Sequence, residues 1–192
     1  MRIISGERRG MVLLGAKDKT IRPTMDQAKE ALFNILSPIS STATVLDLFG
    51  GTGAIALEFL SRGAKFAVIG ELRRKNVEII KINVKKTRYE DKSRLELGDY
   101  RKILKKVSMD KLQFDYIFLD PPYHTDLAKN TLCEIKKYDI LSKSDIIIIE
   151  TANDENLQYD VDIFNLIDMR LYGQTKFYFL SSGDSYEGYL SR

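Results

Sequence analysis

The sequence predicts an α/β fold built on an open, mostly parallel sheet. Three observations carry that expectation. Residues 44–53 pass from a β-branched and apolar run through Asp47 into Gly50-Gly51-Thr52-Gly53, and residues 54–60 continue with apolar spacing of helical period. A strand, glycine loop and helix in this order hold adenosine-containing ligands at the carboxyl end of a strand in open α/β sheets. Strand and helix patterns then alternate as far as the apolar run 146–149. Finally, 163–172 and 175–181 read as consecutive strands joined at Tyr172-Gly173-Gln174, which breaks the alternation and predicts an antiparallel edge.

The remaining elements follow in chain order. Residues 1–15 read as a β-hairpin, with strands 2–5 and 11–14 around a turn that places Arg8 and Arg9 at an exposed tip. Those arginines are either solvated turn charges or contacts for a nucleic-acid backbone, and Lys17, Lys19 and Arg22 extend the same basic region. A helix follows Arg22-Pro23-Thr24. Thr24 and Gln27 have capping-box spacing, Ala28, Leu32, Ile35 and Leu36 form the apolar stripe, and Pro38 marks the end. Arg22, Glu30 and Asn34 fall outside that stripe.

After the glycine loop, a strand at 65–69 leads into Gly70-Glu71. Glu71 lies 18 residues beyond Gly53, near the offset at which an acidic residue takes ribose hydroxyls. The next helix turns Val77, Ile80 and Val84 inward, while Lys81, Lys85 and Arg88 read as a solvated face. Strand 94–97 ends in Gly98-Asp99, where Asp99 either accepts from an adenine amine or caps the helix 100–107. Strand 114–119 runs into Asp120-Pro121-Pro122-Tyr123. A helix near 126–137 buries Ala128, Leu132 and Ile135, with Cys133 packing as a small apolar residue.

Composition narrows the function classes. At 192 residues, with 44% hydrophobic and 30% charged residues, the chain reads as one folded domain, with a hairpin extension at 1–20 and a core at 21–192. One cysteine and one histidine argue against a disulfide framework and a metal centre. A net charge of +3 permits nucleic acid as a partner without demanding it. The lack of a signal sequence or membrane span predicts a cytoplasmic protein.

The ligand of the loop is contested. Gly51-Thr52-Gly53-Ala54-Ile55-Ala56 fits the dinucleotide fingerprint, yet Asp47 sets an anion where a pyrophosphate would lie. S-adenosylmethionine, with a cationic tail and a sulfonium, suits Asp47 better. A plain strand-to-helix turn, with Asp47 capping nearby amides, is the alternative. Asp120-Pro121-Pro122-Tyr123 speaks to the reaction. The prolines stiffen the loop, and a carboxylate with a rigid carbonyl forms an acceptor pair for an exocyclic amine. Tyr123 offers a ring face on which a flat base can stack. Both hydrogen bonds favour a more tetrahedral nitrogen and aim its lone pair at the sulfonium methyl, without a histidine base.

Taken together, the motifs resemble those of the Rossmann-like class I S-adenosylmethionine-dependent methyltransferases. More narrowly, they are similar to the RsmD family, the bacterial 16S ribosomal RNA guanine-N2 methyltransferases. The likeness runs through M-R-I-I-S-G at 1–6, R-P-T at 22–24, E-A-L-F-N at 30–34, D-L-F-G-G-T-G at 47–53, D-P-P-Y at 120–123 and Y-G-Q-T at 172–175. It implies a seven-stranded, mostly parallel sheet with an antiparallel C-terminal hairpin and an N-terminal β-hairpin. Asp47, Phe49, Gly51, Gly53, Glu71, Asp99 and Asp120 would surround the cofactor, with Asp120, Pro121 and Tyr123 at the target base. Arg8, Arg9, Arg22 and Tyr123 would meet RNA, as part of a 30S subunit or its assembly intermediate, with the protein a monomer that uses no metal. Where that family carries further arginines after R-P-T this chain has Gln27 and Lys29, and Arg73 stands where a polar or acidic residue is common. Competing readings are a DNA or RNA adenine-N6 or cytosine-N4 methyltransferase, a nicotinamide-dependent dehydrogenase, and an RNA-binding assembly protein on an inactive methyltransferase fold.

Overall fold

A computed structural model describes residues 1–15 and 23–183. Helix α1 (Pro23–Ile35) precedes β1 (Thr44–Asp47), α2 (Ala54–Ser61), β2 (Phe66–Glu71) and α3 (Arg74–Thr87). Then come β3 (Ser93–Leu97), α4 (Tyr100–Met109), β4 (Phe114–Leu119), α5 (Leu127–Ile135), β5 (Leu141–Ala152), β6 (Asn165–Tyr172) and β7 (Thr175–Ser181). The strands form one seven-stranded sheet in the order β3-β2-β1-β4-β5-β7-β6. Strands β1 to β5 pair in parallel, and β7 inserts antiparallel between β5 and β6. The predicted sheet and its antiparallel edge are both present.

Strand alternation divides the core in two. Val45, Ala67, Ile69, Tyr116, Phe118, Ile146 and Ile148 point to one side, where they meet Leu32, Phe33, Leu57, Phe59, Ile80 and Val84 of α1, α2 and α3. Leu46, Val68, Ile117, Leu119, Ile147 and Ile149 point to the other, against Ile103, Leu104, Val107, Ala128 and Leu132 of α4 and α5. Apolar residues on both faces of the central strands are what a sheet covered on both sides requires.

Three details differ from the sequence reading. Strand β5 begins at Leu141, earlier than the aliphatic run, and a register shift between Phe114 and Tyr116 accommodates the added length. Cys133 is exposed, because it falls on the solvent side of α5 while Ala128, Leu132 and Ile135 take the buried side. The N-terminal hairpin is reduced to a single bridge, Arg2 with Val12, flanked by bonds from the Ile3 amide to the Met11 carbonyl and from the Leu13 amide to the Met1 carbonyl.

Its turn does not project. The Glu7 amide donates to the Ser61 carbonyl at 2.8 Å and the Arg8 amide to the Ser61 hydroxyl at 3.0 Å. Arg8 then folds back, its Nε donating to the Thr87 carbonyl at 2.8 Å and its guanidinium lying 5.4 Å from the centre of the Tyr89 ring. Carbonyls at a helix C-terminus lack intrahelical donors, so an arginine satisfies one here. Arg9 remains exposed. Lys17, Lys19 and Arg22 lie outside the described residues.

Glu58 ties this segment down. Its carboxylate is fully buried and accepts from the Ile4 amide at 2.8 Å and the Ser5 amide at 3.0 Å. Arg62 Nε reaches it at 2.9 Å and Lys29 Nζ at 3.4 Å, and Lys29 also donates to the Arg2 carbonyl at 2.6 Å. Lys29, one of the departures from the family pattern, is therefore an internal group. Removing one member of a buried charge cluster strands the others, at about 3–5 kcal/mol. Glu58→Ala is expected to lose stability on that scale in urea titrations and to expose residues 1–15 to limited proteolysis. A loss below about 1 kcal/mol, the range of surface ion pairs, would contradict this account.

Candidate active site

The site lies along the carboxyl ends of β1, β2, β4 and β5. Gly50 lets the loop after β1 press against β2, since a Cβ there would meet Ile69 Cγ2 at 2.5 Å and the Gly70 carbonyl oxygen at 3.0 Å. The Gly50 amide donates to that carbonyl at 2.7 Å. Gly51 and Gly53 both take positive φ, 56° and 79°, and Gly53 starts α2 from the left-handed region that favours glycine.

Asp47, at the end of β1, is 2% exposed, and burial pushes its carboxyl up to about 7. Bonds from the Ala56 and Phe49 amides oppose that shift, whereas the Glu71 carboxylate adds to it. Glu71 ends β2, its Oε2 accepting from the Gly51 amide at 2.9 Å and from Asn76 Nδ2 at 3.2 Å, its Oε1 from the Arg73 amide at 2.7 Å. One carboxylate therefore joins the glycine loop to the start of α3. Leu72, 65% exposed beside it, adds an uncovered apolar surface, and Phe49 packs against the Tyr100 ring at 6.3 Å between centroids. Asp99 caps α4 through the Arg101 amide at 3.0 Å, the second of the two readings it was given.

Asp120 follows β4. Its own surface is open to solvent, yet protein encloses it closely enough that desolvation raises its carboxyl well above the ordinary value. The neighbouring Glu150 and Asp47 carboxylates push in the same direction, and the open side tempers the effect. Pro121 is buried and Pro122 exposed. The Pro122 carbonyl already accepts from the Thr125 hydroxyl at 2.7 Å, which uses one of its two lone pairs. The Pro121 carbonyl carries no such bond among the described residues and is the better candidate acceptor. Tyr123 keeps an accessible ring, 38% exposed, and its hydroxyl donates to Glu150 Oε1 at 2.9 Å. Burial and the Glu150 charge raise the phenol's pKa, so the proton stays on oxygen. Glu150 is raised by burial, with the Tyr123 bond opposing.

Glu150 is the residue the sequence reading missed. The signal was there: it closes the apolar run 146–149 as Asp47 closes the run before the glycine loop, although β5 itself runs on to Ala152. The structure thus brings Asp47, Glu71, Asp120, Tyr123 and Glu150 to one edge. It leaves Arg8 and Arg9 apart, on the segment bonded to the ends of α2 and α3. None of the four carboxylates has an ion-pair partner among the described residues. Nor does any group of three or more His, Cys, Asp or Glu among the described residues suit a metal ion. The same residues contain no helix long and apolar enough to cross a membrane.

A family model described as "Conserved hypothetical protein 95" matches residues 1–181. The ribosomal RNA small subunit methyltransferase D of Haemophilus influenzae is 32% identical over 157 residues, covering 82% of this chain and 81% of that protein. The YlbH protein of Bacillus subtilis is 30% identical over 175 residues, 91% of this chain and 95% of its own length. Among solved structures, the YhhF protein of Escherichia coli superposes with a TM-score of 0.82 at 27% identity, covering 95% of this chain and 98% of that one.

The buried, unpaired Asp47 makes a pH prediction. A cationic ligand beside it favours the ionised form, so S-adenosylmethionine affinity should be full above pH 7, the value to which burial lifts this carboxyl. Below that, affinity should drop by about 10-fold per unit until the bound-state pKa is passed. Folding carries the opposite sign: the raised pKa favours the neutral form, so the free protein loses stability as pH rises from 3.8 to about 7. Asp47→Asn should flatten both profiles. Calorimetry from pH 5.5 to 8.5 checks the first, and an affinity independent of pH would overturn it.

Proposed function

The chain belongs to the family described as Conserved hypothetical protein 95, the RsmD methyltransferases, and on that premise we propose that it methylates the exocyclic N2 amine of a guanine in 16S ribosomal RNA. The observation that carries this reading is the meeting of the Asp120–Tyr123 loop with Asp47 and Glu71 at one edge of the sheet. Asp47 and Glu71, which have no ion-pair partner among the described residues, form a receptor for a positively charged ligand beside Asp120, the acceptor for an amine.

The donor residues fit S-adenosylmethionine. Asp47 faces its ammonium, and Glu71 keeps acceptor capacity for ribose hydroxyls beyond its three bonds to the loop and α3, since a carboxylate has about four lone-pair sites. Gly51 and Gly53 let backbone amides approach, while Leu72, Phe49 and Asp99 border the adenine. When bound, S-adenosylmethionine supplies a methyl on a sulfonium, and the C–S electron pair stays on sulfur as the amine nitrogen takes the methyl.

The chain's own work is positioning. Asp120 and the Pro121 carbonyl accept from the two N–H groups of the amine, which turns the nitrogen lone pair toward the methyl and leaves a proton to pass to Asp120 or solvent afterwards. The Tyr123 ring carries the extruded base by stacking. Arg9, exposed at the hairpin turn, contacts RNA backbone together with Arg22, while Arg8 is engaged by the Thr87 carbonyl and the Tyr89 ring. A domain with a net charge of only +3 holds free RNA weakly, which favours a 30S particle or its assembly intermediate as the substrate and a cytoplasmic monomer as the enzyme.

Methyl transfer to 30S particles from cells lacking the gene, followed by nucleoside mass spectrometry, tests this. N2-methylguanosine at one 16S position is expected, whereas N6-methyladenosine or N4-methylcytosine would establish the rival amine reading. Asp120→Ala should bind S-adenosylmethionine normally and lose about 10²-fold in turnover, the cost of removing a preorganised polar group. Glu71→Ala should instead weaken cofactor binding by about 10- to 100-fold, from the charged hydrogen bonds lost.

A further inference from the structure

We infer that Glu150 selects guanine over the other amine-bearing bases by accepting a hydrogen bond from guanine N1–H. The inference rests on the reading of Asp120 and Tyr123 as the site of the target amine.

Its basis is register. Leu119 stands opposite Ile149 as the last pair of the parallel β4–β5 ladder, so Asp120, just past the end of β4, comes level with Glu150, which stays in β5 opposite Phe177 of β7. Glu150 is held there. The Tyr123 hydroxyl donates to Oε1 at 2.9 Å, while Oε2 has no hydrogen-bond donor among the described residues. Glu150 is also fixed from the strand beside β5, through its pairing with Phe177 of β7. The edge thus offers two neighbouring carboxylates, one more than the two N–H groups of an amine require when Asp120 and a proline carbonyl already receive them.

Base chemistry gives the extra acceptor a use. Adenine N6 is flanked on its Watson–Crick edge by N1, and cytosine N4 by N3, each a lone pair. Guanine N2 alone is flanked there by a donor, N1–H. An ionised carboxylate beside Asp120 therefore gains a hydrogen bond from guanine and meets a lone pair in adenine or cytosine. Sites built around a hydrogen bond reject analogues that cannot make it far more strongly than apolar pockets reject a misfit. Tyr123 supports this by donating to Oε1, which favours the charged form of Glu150 and leaves Oε2 to the base.

2-Aminopurine separates this role from general damage. It carries the same N2 amine as guanine but has a lone pair at N1. The probe is 30S particles reconstituted with 16S rRNA in which the nucleotide that the wild type modifies, mapped first, is guanine or 2-aminopurine. At pH 8 the wild type should methylate guanine at least about 10²-fold faster than 2-aminopurine. Glu150→Gln should slow guanine by about 10- to 100-fold. It should also shrink the preference below about 10-fold, because the new amide can donate to N1. Its S-adenosylmethionine affinity should remain near wild type. Equal preference in wild type and variant would overturn the inference, and so would a wild type indifferent to the analogue, even if Glu150→Gln fails to fold. Failure of the wild type to methylate guanine in any particle would instead overturn the functional reading beneath it.

Discussion

Parallel strand register is the constraint on which the site depends. Asp47 pairs with Ile69 and Phe118, and Leu119 with Ile149, so the carboxyl ends of β1, β2, β4 and β5 are forced to one edge. β1 and β2 end in an acidic residue, β4 leads directly into one, and β5 carries Glu150 where its pairing with β4 stops. Folding alone therefore gathers four carboxylates that repel one another. Backbone amides at Glu71 and Asp47, and the phenol at Glu150, offset part of that cost. The raised carboxyls of Asp47, Asp120 and Glu150 are the mark of what remains, and a cationic ligand beside Asp47 would offset part of it.

How much of this was legible in the sequence varied with distance along the chain. The parallel sheet, its antiparallel edge and the strand-end acids Asp47, Glu71 and Asp120 were all visible, because periodicity and short motifs are local signals. Glu150 was not, because a charge that closes an aliphatic run looks like a boundary. Its meaning comes from Tyr123, 27 positions away. Glu58 and Lys29 look like solvent-side helix charges for the same reason, and only the docking of residues 1–15 makes them internal. Arg8 and Arg9 read as an equivalent pair, yet the helix end at Thr87 takes one and leaves the other in solvent. Cys133 was misplaced because α5 buries a narrow stripe, and a small residue next to it carries no pattern of its own.

Tyr123 illustrates why one residue can answer to two chemistries. The ring face suits stacking, which any aromatic residue provides, and that is all the sequence discloses. The hydroxyl is committed to Glu150, so the same side chain fixes the direction of the carboxylate proposed to read the edge of the base. Stacking and edge recognition would then share one unit, with Glu150 paired to β7 opposite Phe177.

The docking of residues 1–15 also sets an order of events during synthesis. Their bonds to Glu58, Ser61 and Thr87 span 53 to 79 positions, so the surface that receives them does not exist until α3 has been made. Residues 1–15 therefore wait for α2 and α3 before they can dock. Asn83 holds Leu14 and the Thr52 carbonyl together, and the Thr52 hydroxyl contacts Met1, so the glycine loop is completed by that late arrival. A nascent chain short of α3 thus lacks the contacts that complete its glycine loop, although the loop itself has already been made.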